Sequence, residues 1–144
     1  MSPPRAADHH ATTVVRRLAA HLASDARIEG LWLEGADDSI QWPPYLRPEL
    51  HFAVPEPHVA PVRDELAALL AEADAISDFH SQEAPLLGFA GGAQLSDGTP
   101  LTWRIERTSQ IAKVPRRAVN ILLDRSGGLL LAALSFEARG PRGG

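Results

Sequence analysis

The sequence predicts an α+β fold, in which a mixed β-sheet has two main helices packed against it. Two segments repeat apolar residues at helical spacing, and five shorter segments have the apolar or alternating patterns of strands. Their order is helix, strand, loop, strand, helix, hairpin and strand, which differs from the regular strand–helix alternation of a doubly wound parallel sheet. The chain has 144 residues, a length that suits one domain.

The two helices are predicted from apolar stripes with i, i+3, i+4 spacing. The first stripe begins after Thr12 and consists of Val14, Val15, Leu18, Ala19 and Leu22. The second consists of Val62, Leu66, Leu69, Leu70, Ala73 and Ile76. Pro61 is expected in the first turn of this second helix, where its missing N–H is tolerated.

The strands are predicted from shorter patterns. The continuous apolar run 28–33 suits a strand that is buried on both faces. In segment 49–54 the even-numbered residues share one face and the odd-numbered residues share the other. Segment 119–123 is a further strand, and the apolar segment 129–134 fits either a helix or a strand.

A hairpin is predicted between segments 86–95 and 101–107. The turn contains Asp97-Gly98, a dipeptide that favours tight turns because glycine tolerates positive φ. The glycines at 88, 91 and 92 weaken the first strand of this hairpin and indicate a bulge there.

The domain is predicted to span residues 12–137. Residues 1–11 are expected to be a flexible arm, and residues 138–144 a disordered tail. The arm lacks the hydrophobic core of a signal peptide, and no stretch approaches the roughly 18 apolar residues of a membrane helix. We therefore expect a cytoplasmic protein with no membrane partner.

Composition and charge exclude several classes of function. The chain has no cysteine, so disulfides and thiolate metal sites are excluded. Its net charge is −4, and an acidic chain is poorly suited to nucleic acid, whose binding relies on basic surface. Lys113 is the only lysine and alanine is abundant, which is typical of proteins from GC-rich bacterial genomes.

One pair of motifs resembles a known family. Leu33-Glu34-Gly35-Ala36 is followed, after twelve residues, by Glu49-Leu50-His51-Phe52. This spacing resembles the signature of the polymerase-beta-like nucleotidyltransferase superfamily, in which a strand ends in Gly-Ser or Gly-Gly and a later strand carries two acidic residues. The segment 120–127, NILLDRSG, is similar to one common in bacterial aminoglycoside-adenylyltransferase-like members. The same superfamily includes minimal nucleotidyltransferase domains. The resemblance covers roughly residues 12–128.

The resemblance implies a metal-dependent site that this sequence carries in altered form. Family members use carboxylates to hold Mg²⁺, which prefers hard oxygen ligands. Gly35 matches the family glycine, but Ala36 replaces the following Ser or Gly. Glu49 occupies the first metal position, and His51 occupies the second, where an imidazole is a poor ligand for Mg²⁺. The third carboxylate is expected within 101–105, which contains no acidic residue.

Glu106 is the acidic residue nearest to the expected third position, and it is interpreted as lying outside the pattern of Thr102 and Arg104. Arg104 therefore stands where a carboxylate is expected. The basic stretch that also includes Arg107, Lys113, Arg116 and Arg117 is interpreted as a solvated basic face, with a phosphate or acidic-partner site as the alternative.

Three functions remain open from the sequence. The first is a degenerate nucleotidyltransferase-like domain that acts as a noncatalytic binding or regulatory module for a nucleotide or a protein partner. The second is an active nucleotidyltransferase with an altered Mg²⁺ or Mn²⁺ site, in which Glu49 and His51 are metal ligands and Asp37 or Asp38 assists. The third is an antitoxin-like or subunit partner of a helical protein. The candidate cleft comprises Gly35, Ala36, Trp42, Glu49, His51 and Arg104, and no cofactor is expected outside the second function.

Overall fold

The computed structural model describes residues 6–35, 49–85, 88–113, 116, 119–130 and 132–134. The helices are α1 (Ala6–Leu22) and α2 (Glu56–Ala73), and a 3₁₀ helix, η1, covers Thr108–Lys113. The strands are β1 (Gly30–Glu34), β2 (Glu49–Val54), β3 (Ser77–Ala84), β4 (Gly88–Gln94), β5 (Pro100–Arg107) and β6 (Val119–Asp124).

These strands form one six-stranded sheet in the order β3-β4-β5-β2-β1-β6. Among the described strands, β2 and β5 pair in parallel, and the other four neighbouring pairs are antiparallel. The sheet is therefore mixed, which confirms the predicted α+β class. The central strands β5, β2 and β1 come from distant parts of the chain, and side chains from all three meet on each face of the sheet.

One face of the sheet carries α1 and α2, as predicted. The even-numbered residues of β2 point to this face, where they pack with the helices and with β5 in the main apolar core. The residues buried there include Val15, Leu18, Leu22, Leu50, Phe52, Val62, Leu66, Leu70 and Ile105. None of the helices in the described part of the chain combines the length and apolar character that crossing a bilayer requires.

The other face carries a smaller apolar cluster and a group of buried polar side chains. Trp32, Ala53, Ile111, Leu130 and Leu134 form the apolar cluster. The last two come from residues 129–130 and 132–134, which are helical, so the described residues of the segment with two alternative predictions are helical rather than extended. Its apolar side covers β1 and β2, and the polar group lies beside it on the same face.

The first helix is longer than predicted. It begins at Ala6, so residues 6–11 of the predicted arm are helical. Alanine has the highest helix propensity, and Ala11 is buried in the main core, which accounts for the earlier start. Residues 1–5 and the predicted tail, 138–144, lie outside the described residues.

The second helix begins earlier than the prediction placed it. Its first residue is Glu56, so Pro57 rather than Pro61 occupies the first turn. Pro61 lies inside the helix and lacks the N–H that would reach the carbonyl of Pro57. The predicted strand 28–33 is also displaced, because β1 covers Gly30–Glu34 and Ile28 precedes it.

Strand β3 was missed by the sequence analysis. Its residues are mostly exposed and polar, so they show no apolar alternation. The predicted bulge lies on β3 rather than on the glycine-containing strand β4. Ser77 pairs with Gln94 but His80 pairs with Gly92, and Asp78 within the extra segment has a φ of 53°.

The glycine at position 91 allows β3, β4 and β5 to approach closely. A Cβ atom at Gly91 would lie 2.0 Å from the backbone oxygen of His80 and 2.6 Å from the Trp103 ring. At Gly92 the nearest atom would be Cε1 of the His80 side chain at 3.0 Å, and the backbone oxygen of Leu101 would be 3.2 Å away. The two neighbouring glycines therefore differ in what a methyl group would displace.

Gly91→Ala should lower the free energy of unfolding by about 1–3 kcal/mol, since overpacking against a backbone carbonyl forces a strand to shift. Gly92→Ala is the matched control and should have a smaller effect, because a side chain can move aside. Urea denaturation measures both. An equal loss in the two variants would contradict the close approach at Gly91.

Candidate functional site

Three adjacent strands bring four ionisable side chains together on the face opposite α1 and α2. In the β1–β2 ladder, Trp32 pairs with His51 and Glu34 pairs with Glu49. In the β2–β5 ladder, Ala53 pairs with Glu106. Because side chains alternate along a strand, Glu34, Glu49, His51 and Glu106 all point to this face.

Glu106 corrects one interpretation made from the sequence. Thr102, Arg104 and Glu106 are separated by two residues each and therefore share a face of β5, whereas Leu101, Trp103 and Ile105 pack in the main core. Glu106 thus belongs to the alternating pattern from which it was excluded. It is fully buried, and its carboxylate lies beside His51.

His51 is surrounded by carboxylates. Its Nδ1 atom forms a hydrogen bond with Oε2 of Glu106. Its Nε2 atom lies 3.2 Å from Oε1 of Glu49 and 3.3 Å from Oε2 of Glu34. Ionised carboxylates only accept hydrogen bonds, so with all three carboxylates ionised both ring nitrogens donate, and we assign the ring as an imidazolium. The ring is 3% exposed and stacks on Trp32 with a centroid distance of 5.1 Å.

Arg116 joins the carboxylates of two strands. Its Nη1 atom donates to Oε2 of Glu34 at 2.9 Å and to Oε2 of Glu106 at 2.7 Å. Its Nη2 atom donates to Oε1 of Glu106 at 2.5 Å and to the carbonyl of Ile111 in η1 at 2.8 Å. The side chain is 1% exposed, and the guanidinium lies 5.4 Å from the Trp32 ring centroid. Paired hydrogen bonds of this kind are among the strongest between side chains.

A second arginine lies at the more exposed edge of the group. Arg104 Nε is 3.2 Å from Oε1 and 3.3 Å from Oε2 of Glu49. Three carboxylates therefore face three cationic groups, namely Arg104, Arg116 and the imidazolium of His51. We call Glu34, Glu49, His51, Arg104, Glu106 and Arg116 the ionic cluster. Its formal charges cancel without any added ion.

The pKa values of His51, Glu106 and Glu49 shift in the direction that favours their charged forms. Burial opposes the imidazolium of His51, but the hydrogen bonds with Glu106 and Glu49 outweigh it and raise the pKa. Burial likewise opposes the ionised form of Glu106, yet the hydrogen bonds from Arg116 and His51 lower its pKa. The hydrogen bond with His51, aided by the charge of Arg104, lowers the pKa of Glu49 to about 2. Each charged form is stabilised by its neighbours.

The structure describes some of the residues predicted for the cleft and leaves others outside the described part of the chain. Glu49, His51 and Arg104 lie together in the ionic cluster, and their role in binding a ligand stays a prediction. Gly35 follows β1 directly and has a φ of 91°, a conformation that favours glycine. Ala36, Trp42 and the predicted assisting residues Asp37 and Asp38 lie outside the described residues.

The basic stretch is not a solvated face as a whole. Arg116 is buried in the ionic cluster, Arg104 pairs with Glu49, and Arg107 pairs with Glu56 at 2.8 Å. Arg117 lies outside the described residues. The sequence analysis missed Arg116 and Glu34 as site residues. For Glu34 there was a signal, because the position ends an apolar strand directly before Gly35.

A metal ion would have to compete with protein cations for the same oxygens. Glu34, His51 and Glu106 offer ligand atoms within 4.8 Å of one another, and this set differs from the predicted pair of Glu49 and His51. However, the Oε2 atoms of Glu34 and Glu106 already accept hydrogen bonds from Arg116, and both nitrogens of His51 donate to carboxylates. These residues therefore do not fit a divalent ion unless Arg116 leaves.

Comparison with protein-family models and with curated proteins gives no match for this chain. Inferences about the function of this chain therefore depend on the geometry of the ionic cluster.

Arg116→Met should lower the free energy of unfolding by about 3–5 kcal/mol, because it leaves buried carboxylates without their cation. Arg104→Met removes the partner of the more exposed Glu49 and should cost less than about 1 kcal/mol. Adding Glu106→Gln to Arg116→Met should recover part of the loss. Urea denaturation at neutral pH measures all three, and equal losses for the two single variants would contradict the central position of Arg116.

Stability should decrease as the pH rises above 6.5, the ordinary pKa of histidine. The folded state holds the His51 proton more tightly, so this contribution is complete below 6.5 and is lost as the pH passes the raised folded pKa. The slope has a limit of about 1.4 kcal/mol per pH unit. In acid, the contribution of Glu49 is lost as the pH falls from 4.5 towards about 2.

Urea denaturation between pH 6 and 9 tests the alkaline decrease. The wild type and His58→Gln, a control in α2 outside the ionic cluster, should decrease in parallel, whereas His51→Gln should have a flatter profile. A His51→Gln profile with the wild-type slope would show that His51 is not the group responsible.

Proposed function

We propose that this chain is a nucleotidyltransferase-like domain with a degenerate active site, and that it acts as a noncatalytic binding or regulatory module. The observation that carries the proposal is the position of Arg116, whose guanidinium bonds both Glu34 and Glu106. A protein cation thus occupies the place between the carboxylates that a metal ion would need.

The chemistry of nucleotidyl transfer explains why an arginine in place of a metal ion argues against catalysis. Divalent ions bind the triphosphate and neutralise the charge that develops during in-line displacement. Mg²⁺ needs free oxygen ligands in octahedral geometry, and in the ionic cluster Arg116 bonds Oε2 of Glu34 and both carboxylate oxygens of Glu106. The guanidinium also neutralises the carboxylate charge that would attract a divalent cation, and because it is paired with Glu34 and Glu106 it is not free to bind phosphate.

The placement of the acidic residues supports the nucleotidyltransferase-like part of the proposal. Glu49 and His51 lie two residues apart on β2, and Glu106 lies on the adjacent parallel strand β5. The resemblance expects two metal-binding positions on one strand, which Glu49 and His51 occupy, and a third carboxylate within 101–105 on a neighbouring strand. Glu106 lies one residue beyond that segment and supplies a carboxylate from that strand. The face on which they meet is opposite the two main helices.

The placement of Glu106 favours one alternative, an active nucleotidyltransferase with an altered metal set. Glu106 points towards His51 and Glu49, so three carboxylates from three strands share one face. Activity would require Arg116 to withdraw and two carboxylates to exchange guanidinium for metal. The proposal and this alternative therefore differ in whether nucleotide binding depends on a divalent ion.

Thermal unfolding with each nucleoside triphosphate, with and without Mg²⁺ or Mn²⁺, distinguishes them. We expect no metal-dependent rise in the wild-type midpoint. A ligand at about 100 times its dissociation constant adds about 2.7 kcal/mol of stability, which in a domain of this size raises the midpoint by about 3–6 °C. A shift of that size that requires metal and disappears in Glu49→Gln would replace the proposal with the active enzyme.

The remaining outcomes identify the kind of ligand. A metal-independent shift with one nucleotide would support a nucleotide-binding module. If no nucleotide shifts the midpoint, the partner is expected to be a protein, and purification with tagged wild-type chain should recover it in stoichiometric amount. Arg104→Glu, which changes the more exposed part of the ionic cluster, is the variant expected to weaken either interaction.

A further inference from the structure

A cavity of about 300 Å³ lies on the same face of the sheet as the ionic cluster. Its lining includes Glu29, which precedes β1, and Ala53, near the end of β2, whereas Glu34 and Glu49 lie at the opposite ends of those strands. The apolar walls are supplied by Ala53, Ile111, Leu129, Leu130 and Ala133. The volume is at the lower end of the range for small-molecule sites.

Glu29 is the charged residue in the lining. Its backbone is fixed, because its N–H donates to the carbonyl of Ala53 and its own carbonyl accepts from the N–H of Arg125. Its side chain is half-buried, yet among the described residues its carboxylate has no hydrogen-bond or ion-pair partner. The guanidinium of Arg125 donates to the carbonyl of Ala23 instead.

An exposed apolar side chain lies at the rim of the cavity. Leu129 is 73% exposed, whereas the other large hydrophobic side chains among the described residues are buried or partly buried. Leu130 beside it is buried against β1, so the two neighbours differ in what covers them. An apolar group bound in the cavity would cover part of Leu129 and gain the free energy of removing it from water.

We propose that this cavity is a binding site for a small organic ammonium ion with an apolar body. The carboxylate of Glu29 pairs with the ammonium group, and the apolar walls take the hydrocarbon part. Thr108 and Ser109 also line the cavity, and hydroxyl oxygens of this kind can accept further hydrogen bonds from the ammonium. The site is separate from the ionic cluster and does not depend on the function proposed for it.

Three probes of similar shape test the charge requirement. Phenethylammonium, 2-phenylethanol and 3-phenylpropionate share a phenylethyl body, and each has about ten non-hydrogen atoms in all, a size suited to this volume. Their affinities can be measured by following backbone amide shifts in NMR titrations of the whole chain. We expect saturable binding of phenethylammonium, binding about tenfold weaker for the alcohol, and none for the carboxylate, since a charge-assisted hydrogen bond is roughly worth this factor.

Two pairs of variants locate the site. Glu29→Gln should weaken phenethylammonium binding by about tenfold, whereas Glu83→Gln, the same charge change on β3, should not alter it. Ala133→Phe should fill the cavity and abolish binding, whereas Ala132→Phe changes the exposed neighbour and should leave it intact. Thermal unfolding of each variant verifies that it is folded.

Several results would overturn the proposal. These are equal affinity for the ammonium and the alcohol, an unchanged affinity in Glu29→Gln, and binding that survives in Ala133→Phe. The absence of saturable binding by phenethylammonium to the wild type would do so as well.

Discussion

The hydrogen bonds of Arg116 with Glu34 and Glu106 hold together the sheet face opposite the main helices. Glu34 ends β1 and Glu106 lies near the end of β5, with β2 between these strands. Arg116 spans them and also binds the carbonyl of Ile111 in η1. One guanidinium thus connects two strands and the connection that follows β5, and it does so where burial makes each unpaired charge expensive.

The ionic cluster explains how this face can bury polar groups. His51 and Trp32 stack on one another, and the Trp32 indole donates to Oε2 of Glu34 at 3.0 Å. The members of the cluster therefore satisfy most of one another's polar atoms, although Nε of Arg116 is buried without a hydrogen-bond partner among the described residues. Replacing the ion pairs by apolar groups is often neutral or stabilising, whereas removing one partner is strongly destabilising. The cluster is consequently evidence of a specific arrangement rather than of extra stability.

The elements with strong apolar patterns could be predicted from the sequence, and the weakly patterned elements could not. The strand at Glu49–Val54 alternates strictly, and its predicted bounds agree with the structure. Strand β3 is polar because it lies at an edge and its side chains face water, so no periodicity marks it. The start of α1 was missed because its first residues, which include Asp8, His9 and His10, do not continue the apolar stripe.

For the candidate site, sequence reasoning identified Glu49, His51 and Arg104 from a spacing within two strands. It could not identify Arg116, because no sequence pattern indicates that a basic residue beyond η1 reaches back to β1 and β5. Glu106 was identifiable, since counting in steps of two from Thr102 assigns it to the same face. Local periodicity thus predicts which face a residue occupies, while the ion pairs depend on contacts between residues distant in the chain.

The protonation state of His51 tests the central claim, that the ionic cluster is neutralised by its own side chains. Nitrogen-detected NMR of ¹⁵N-labelled imidazole rings, with His51→Gln for assignment, reports whether each ring nitrogen carries a proton. If the cluster is neutralised in this way, both nitrogens of His51 are protonated at pH 7 and added Mg²⁺ leaves their signals unchanged. A neutral ring with one bare nitrogen, whose signal shifts on addition of Mg²⁺ or Mn²⁺, would contradict it.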